Sequence, residues 1–364
     1  MSSSPVSSVY VYRDFVLSML SLFCGRLYPT LRPPPADLTG KITVVTGANS
    51  GLGFQIALDL ARQKATVFLA CRNASKAQEA ISRITSAVPD SVDRVKALSL
   101  DTSSPSSVRE CAEGWKNTES KIDILFNNAG VPSSPEQPFT VDGFPTTYAT
   151  NFLGSFLLTQ LLEPCLSNEA RVIFTSSTGH YISDFTPTFS LEAVKNRLEP
   201  GFHAPKAAVR SNGSAADSTI YGNTKAMQIA FAKLLQSRWN AAAKASGRTN
   251  ERVVHAFSPG FTQTPGLPKM TPLSIWKYSP LQVWEDRGFW LLGATTVLAT
   301  DVSQGAATAV WLATTKDEAV AGEGMGGGYW ERMTKRAATV DAMSTEMLER
   351  FWIRWEADAG ITWR

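Results

Sequence analysis

The chain has 364 residues, 43% hydrophobic, 18% charged and 10% aromatic, a globular mixture far from the low-hydrophobicity, high-charge compositions of disordered chains. Its 35 Lys and Arg against 32 Asp and Glu give a formal charge of +3, and the basic residues are scattered, which argues against nucleic-acid binding by bulk charge. Cys24, Cys71, Cys111 and Cys165 form no CxxC pair, and His180, His203 and His255 lack the i, i+4 spacing of a helical zinc site, so reduced thiols and no metal are expected.

Phe15 to Cys24 (FVLSMLSLFC) is an apolar run of ten residues, short of the roughly 20 that cross a bilayer. No basic residue precedes Arg13, and a small-x-small cleavage pattern is missing, so a secretion signal is disfavoured and a cytoplasmic protein is expected. Two readings of the run stay open. It is a helix lying in a membrane interface, giving peripheral membrane contact through residues 15–24 at the endoplasmic reticulum or a lipid droplet, or a helix packed on the body of the protein or on a second subunit. Tyr10, Tyr12 and Tyr28 suit either.

Beyond the linker at Pro33, Pro34 and Pro35, short apolar runs alternate with helix-like segments, the pattern of βα units feeding a parallel sheet. Strands are expected at Ile42–Thr46, Thr66–Ala70, Val95–Leu100, Ile122–Phe126, Arg171–Phe174 and Val253–Phe257. Helices are expected at Gly51–Gln63, Ser75–Ile84, Ser106–Lys116, Phe144–Leu162 and Ser218–Ala243. This is an α/β chain with a doubly wound, three-layer Rossmann fold, its parallel sheet having about seven strands. Residues 183–217, rich in Pro, Gly and Ser, read as an insertion. The expected organisation is an N-terminal helix and linker over 1–40, one sheet domain over 41–330 with a substrate-side lid at 262–300, and a C-terminal helical extension over 331–364. The apolar run Phe289–Ala299 reads as a packed helix near the mouth of the site.

Thr46-Gly47-Ala48-Asn49-Ser50-Gly51-Leu52-Gly53 falls where the first strand becomes a helix. Glycines there let the backbone approach a pyrophosphate, and the helix N-terminus adds unpaired N–H donors. On spacing alone the segment is also compatible with a tight structural turn. The second strand ends in Ala70-Cys71-Arg72-Asn73, with arginine where an acidic residue would hold a free ribose. Arg72 can pair with a 2′-phosphate, which points to NADP(H); the plain alternative is a surface arginine. Tyr221 and Lys225 sit four residues apart on one helical face, where a cation favours the phenolate of a group whose ordinary pKa is near 10. Such a pair alone is common. Its company is Ser176-Ser177 after the fifth strand and Asn151 in the preceding helix.

With these motifs in order, the chain resembles the short-chain dehydrogenases/reductases over roughly Lys41 to Thr264: the TGxxxGxG loop (Thr46–Gly53), the NNAG turn (Asn127–Gly130) and the Asn, Ser, Tyr, Lys set. Arg72, the wording TGANSGLG and the Gly-rich strand around Gly328-Tyr329-Trp330 resemble the retinol-dehydrogenase-like branch, which includes fungal tailoring reductases. The resemblance implies Tyr221 as general acid/base and Ser177 as the donor to the substrate oxygen, with Ser176 as fallback. Lys225 lowers the tyrosine pKa and binds the nicotinamide ribose, and Asn151 holds a water in a proton relay. It also implies that Gly47, Ser50, Gly51, Leu52 and Gly53 cradle the cofactor, that Asp101 contacts the adenine and Asn128 lines the adenosine side, and that Thr262 and Thr264 belong to the segment clamping the carboxamide.

The implied activity is an NADP(H)-dependent oxidoreductase interconverting a carbonyl and an alcohol on a lipophilic small molecule, in the reductive direction and in secondary-metabolite biosynthesis. Trp276, Tyr278 and Trp284 supply aromatic walls. Alternatives are a membrane-anchored retinol or steroid dehydrogenase and a non-catalytic dinucleotide sensor, which would bind cofactor without hydride transfer. The family also implies a homodimer through the helices carrying Asn151 and Tyr221. His180 reads as a loop histidine without a chemical role.

Overall fold

The computed structural model describes residues 5–118, 120–132, 137–185, 214–262 and 299–363. Most of the expected insertion, most of the expected lid with Trp276, Tyr278 and Trp284, His203 and Thr264 lie outside the described residues. Among the described residues the sheet has eight strands in the order 3-2-1-4-5-6-7-8: β1 (Ile42–Thr46), β2 (Thr66–Cys71), β3 (Val95–Ser99), β4 (Ile122–Asn127), β5 (Leu166–Thr175), β6 (Val253–Ser258), β7 (Tyr329–Glu331) and β8 (Thr334–Arg336). Seven run parallel, as the alternation of strands and helices implies. The eighth is antiparallel, paired with β7, and carries the sheet past residue 330 to Arg336. It escapes a hydropathy reading because Thr334, Lys335 and Arg336 form a polar edge.

Helices α1 (Pro5–Cys24), α2 (Gly51–Arg62), α3 (Ala74–Ala87), α4 (Pro105–Lys116), α5 (Thr146–Leu162), α6 (Ser214–Ala245), α7 (Val302–Thr314) and α8 (Thr345–Ala359) surround it. Polar side chains set several helix starts: Asn73 accepts from Lys76 N, Ser104 from Ser107 N and Ser344 from Met347 N, each answering an orphan amide of a first turn. Helix α5 is not regular. After Thr146–Tyr148 it widens into a π segment, Ala149–Leu153, before resuming at Gly154. Gly154 packs on the main chain of Thr102, whose carbonyl oxygen would lie 2.0 Å from an added Cβ.

The N-terminal run is part of a helix of 20 residues, and its inward face is polar. Asp14 (1% exposed), Ser18 and Ser21 are buried. Both serine hydroxyls donate to the Glu331 carboxylate, and Asp14 Oδ2 accepts from Ala337 N at 2.7 Å. Val9, Tyr12, Val16 and Leu20 face outward, Tyr12 at 70% exposure. The helix therefore packs on the protein's own body through its polar side. Among the described residues no helix is long and apolar enough to cross a membrane. The linker is pinned as well: Gln304 Oε1 accepts from Leu31 N (2.8 Å) and Gln63 O from Leu38 N (2.8 Å).

At the other end of the chain, Trp352 and Trp355 of α8 are buried against Phe152, Phe156 and Phe231 of α5 and α6, with the Phe152–Trp355 centroids 4.6 Å apart. These are the helices through which the resemblance implies a dimer, and α8 lies on them. Trp355→Ala removes a fully packed indole, so it is expected to cost about 3–5 kcal/mol, read as a lower midpoint in urea unfolding.

Candidate active site

The ends of β1, β4, β5 and β6 meet at one edge of the sheet, and the order reverses between β1 and β4, where open α/β sheets hold their ligands. Thr46, the last residue of β1, stitches that point. Its Oγ1 donates to Phe126 O (3.2 Å) and accepts from the amides of Asn128 (2.9 Å) and Ala129 (2.8 Å). Gly47 (φ +66°) and Gly51 (φ +55°) adopt the left-handed region that glycine enters without a Cβ penalty. A Cβ on Gly53 would lie 2.4 Å from Asn128 Nδ2 and 2.5 Å from Gly47 O. The start of α2, with Ser50 as its N-cap and Leu52 in the first turn, is thus held against the β1 turn. This cradle fits a pyrophosphate: bare backbone, a close approach and free helix N–H groups.

Arg72 extends from the end of β2 at 75% side-chain exposure, its guanidinium 3.8 Å from Asp101 Oδ2. Asp101 accepts from the amide and hydroxyl of Ser103. Arg72 and Asp101, the residues expected at the 2′-phosphate and the adenine, are therefore adjacent. Asn128 is committed to the scaffold, donating to Thr46 O (2.9 Å) and accepting from Thr175 Oγ1 (3.2 Å).

Ser177, Tyr221, Lys225 and Asn151 are gathered at the same edge. Ser177 caps a short 3-10 turn, accepting from Gly179 N at 3.1 Å, and its side chain hydrogen-bonds Tyr221. Ser176 is different: it is buried, and its hydroxyl donates to the main-chain oxygen of Lys225 at 2.8 Å. That commitment separates the two serines and leaves Ser177 as the one facing the phenol. A Cβ on Gly179 would stand 3.5 Å from both Ser177 Oγ and Tyr221 Cε1, so the turn lies within van der Waals reach of the pair. Burial raises the Tyr221 phenol above its ordinary value, opposed by the Ser177 hydrogen bond. Lys225, 3% exposed, donates to Thr175 O at 2.7 Å, and burial pushes its ammonium down to about 7. Its Nζ lies 5.2 Å from the Tyr221 ring centroid.

Asn151 lies in the π segment, fully buried. Its Oδ1 accepts from Val131 N (2.7 Å), and its Nδ2 donates to Val131 O (3.0 Å) and Thr224 Oγ1 (3.2 Å). The side chain is a scaffold clamp, which leaves the main-chain carbonyl as its contribution toward Lys225. Thr262 is buried and forms a parallel bridge with Thr300.

His180, read from the sequence as a loop histidine without a chemical role, has a structural one in the 3-10 turn after Ser177. It is fully buried, donates through Nδ1 to Ser177 O at 2.7 Å, and lies against Tyr181 and Tyr329. Burial lowers its pKa to about 4, so it is a neutral fastener of the Ser177 turn. His255 is likewise neutral, its Nε2 donating to Val320 O at 2.9 Å. The described cysteines are all free, and among the described residues no cluster of ligating side chains could hold a metal.

A doubly wound sheet with a glycine cradle at its switch point and a Ser, Tyr, Lys cluster beside it defines a dinucleotide-binding class of α/β protein. Residues 41–186 match the family described as short chain dehydrogenase. The WW domain-containing oxidoreductase of Homo sapiens is 32% identical over 318 residues, 87% of this chain and 67% of that protein. Retinol dehydrogenase 13 of Mus musculus is 32% identical over 322 residues, 88% and 84% of the two chains. A short-chain dehydrogenase/reductase of Phomopsis amygdali is 36% identical over 174 residues, covering 48% of this chain and 52% of the other. A crystal structure of a Burkholderia cenocepacia short chain dehydrogenase in complex with NADP shares the fold at a TM-score of 0.54 and 20% identity, over 81% of this chain and 96% of that one. The chain belongs to the short-chain dehydrogenase family, oxidoreductases of CH–OH and C=O groups.

The close seat of α2 supplies a direct check. Gly53→Ala places a methyl group against backbone and Asn128, and overpacking of this kind costs about 1–3 kcal/mol, measured as a reduced denaturation midpoint.

Proposed function

We propose that the protein is an NADP(H)-dependent reductase that interconverts a carbonyl and an alcohol on a lipophilic small molecule, in the reductive direction. The observation that carries this reading is the convergence of Ser177, Tyr221 and Lys225 at the sheet edge that bears the glycine cradle. The bound nicotinamide supplies the hydride, and the chain supplies position and a proton. Ser177 donates to the substrate oxygen and holds it beside Tyr221. Tyr221 gives its phenolic proton to that oxygen as charge develops there, while the Lys225 ammonium steadies the phenolate left behind. The phenol is raised by burial, which keeps it protonated, as an acid must be. Arg72, exposed at the end of β2, pairs with a 2′-phosphate. Support for a lipophilic substrate comes from relatives named retinol dehydrogenases.

A second observation supports peripheral contact of α1 with a lipid surface. Its outward residues Val9, Tyr12, Val16 and Leu20 form an exposed apolar stripe, with Arg13 beside it on the helix and Arg26 just beyond its end, the composition of an interfacial helix.

With NADPH and a panel of apolar ketones and aldehydes, the protein is expected to turn over, and Tyr221→Phe to lower kcat by about 10²–10⁴-fold. Wild-type rates from Tyr221→Phe would refute the assignment of the acid. Arg72→Ala is expected to weaken NADPH binding by about 10- to 100-fold while leaving NADH binding nearly unchanged, the loss of a charge-assisted hydrogen bond, read by calorimetry. For the helix, flotation with anionic phospholipid vesicles is expected to carry wild-type protein upward and to leave Val16→Asp/Leu20→Asp below. Equal distributions of the two would remove the membrane contact.

A further inference from the structure

Gln228 lies one helical turn beyond Lys225 and is fully buried. Both ends of its amide are engaged. Nε2 donates to the main-chain carbonyl of Asn151 at 2.7 Å, and Oε1 accepts from Lys225 Nζ at 3.4 Å. That carbonyl belongs to the π segment, where the turn is widened and Gly154 N reaches back to Ala149 O, a distortion that frequently accompanies functional sites.

We propose that Gln228 is a positioning residue for proton transfer, its amide forming a fixed bridge between the Lys225 ammonium and the Asn151 carbonyl. This is the link for which the sequence resemblance implies a water, and the inference rests on the function proposed above. A water both donates and accepts and can pass a proton, whereas a neutral amide holds its neighbours without relaying. Thr175 O and Gln228 Oε1 engage two of the three N–H donors of Lys225. Among the described residues, the titratable group facing Lys225 is Tyr221 on its own helix. The end of β5 (Thr175, Ser176, Ser177), the turn after β4 (Asn128, Ala129, Gly130) and the π segment present only neutral side chains. Loss of the amide oxygen therefore disfavours the ammonium and, with it, the Tyr221 phenolate.

The test compares Gln228→Met, which keeps the volume and loses the bridge, with Gln228→Ala, which opens room for a water of about 30 Å³. In alcohol oxidation, where Tyr221 must ionise, Gln228→Met, which loses two buried hydrogen bonds but keeps the core volume, is expected to melt above Gln228→Ala. Its ascending pH limb should nevertheless move up by about one unit, with kcat at neutral pH down about tenfold. Gln228→Ala is expected to melt lower yet keep its limb closer to wild type, because a water can bridge Lys225 and Asn151. Packing alone predicts the opposite order. Ultraviolet titration of the Tyr221 phenolate, taken as a difference against Tyr221→Phe, repeats the comparison without turnover. An unshifted limb and titration in Gln228→Met, or a larger shift in Gln228→Ala than in Gln228→Met, overturns the proposal. Should Tyr221→Phe turn over like wild type, the acid role of Tyr221 falls, and the phenolate titration still decides whether Gln228 holds Lys225.

Discussion

The organising constraint of the site is a cation that the fold removes from water and that, among the described residues, meets neutral dipoles and no anion. Stripping an ammonium of solvent costs several kcal/mol even after relaxation, and the groups that offset this around Lys225 are neutral dipoles, the Thr175 carbonyl and the Gln228 amide. Dipoles compensate a charge only when they are oriented, so Lys225 dictates where the end of β5 and the turn of α6 must sit. Ser176 returns a hydrogen bond from the strand to the Lys225 carbonyl, and strand and helix are thereby fastened in both directions. Ser177, the next residue, emerges from that fastening within hydrogen-bonding reach of Tyr221. The phenol, the serine hydroxyl beside it and the cation are placed by one solvation problem.

A second buried charge explains the N-terminal helix. Glu331 ends β7 with no exposed surface, and a buried carboxylate needs donors. Ser18 and Ser21 supply them from α1, while Asp14 caps the backbone at Ala337 beyond β8. The helix is therefore polar inside and apolar outside, the reverse of a surface helix whose apolar stripe faces the core. It also reaches toward the site. Phe15 packs edge-on to Tyr181 (5.6 Å), whose neighbour His180 holds the Ser177 carbonyl. A change on α1 has only two side chains to cross before it reaches the turn that carries Ser177.

This inversion shows why the fold was more legible in the sequence than the site. The runs at Ile42, Thr66, Ile122 and Val253 are dense in branched apolar residues and mark their strands within a residue or so of the observed bounds. Strand β5 starts earlier than its apolar run because Leu166 pairs with Ile122 across a register shift, a pairing that the intervening polar residues conceal. Helix α1 carries an apolar pattern, but hydropathy cannot say which face is inward when the inward face solvates a charge from a strand more than 300 positions away. Tyr221, Lys225 and Ser177 were legible because their chemistry is conspicuous in one dimension. Gln228 and Thr46 act through main-chain atoms of distant segments, and neither residue type nor spacing reports such a partner.

The same reasoning applies to the C-terminal residues. The outer face of α5 and α6 carries Phe152, Phe156 and Phe231, an aromatic surface that would be a costly patch in water. Helix α8 covers it with Trp352 and Trp355, and Asp358 near the end of α8 accepts from Tyr148 at 3.0 Å. Tyr148 immediately precedes the π segment that presents the Asn151 carbonyl to Gln228. Covering the apolar face and bracing the widened turn are thus done by one helix. The residues beyond the sheet at both ends of the chain are bound to the two turns, at Ser177 and at Asn151, that place the groups around Lys225.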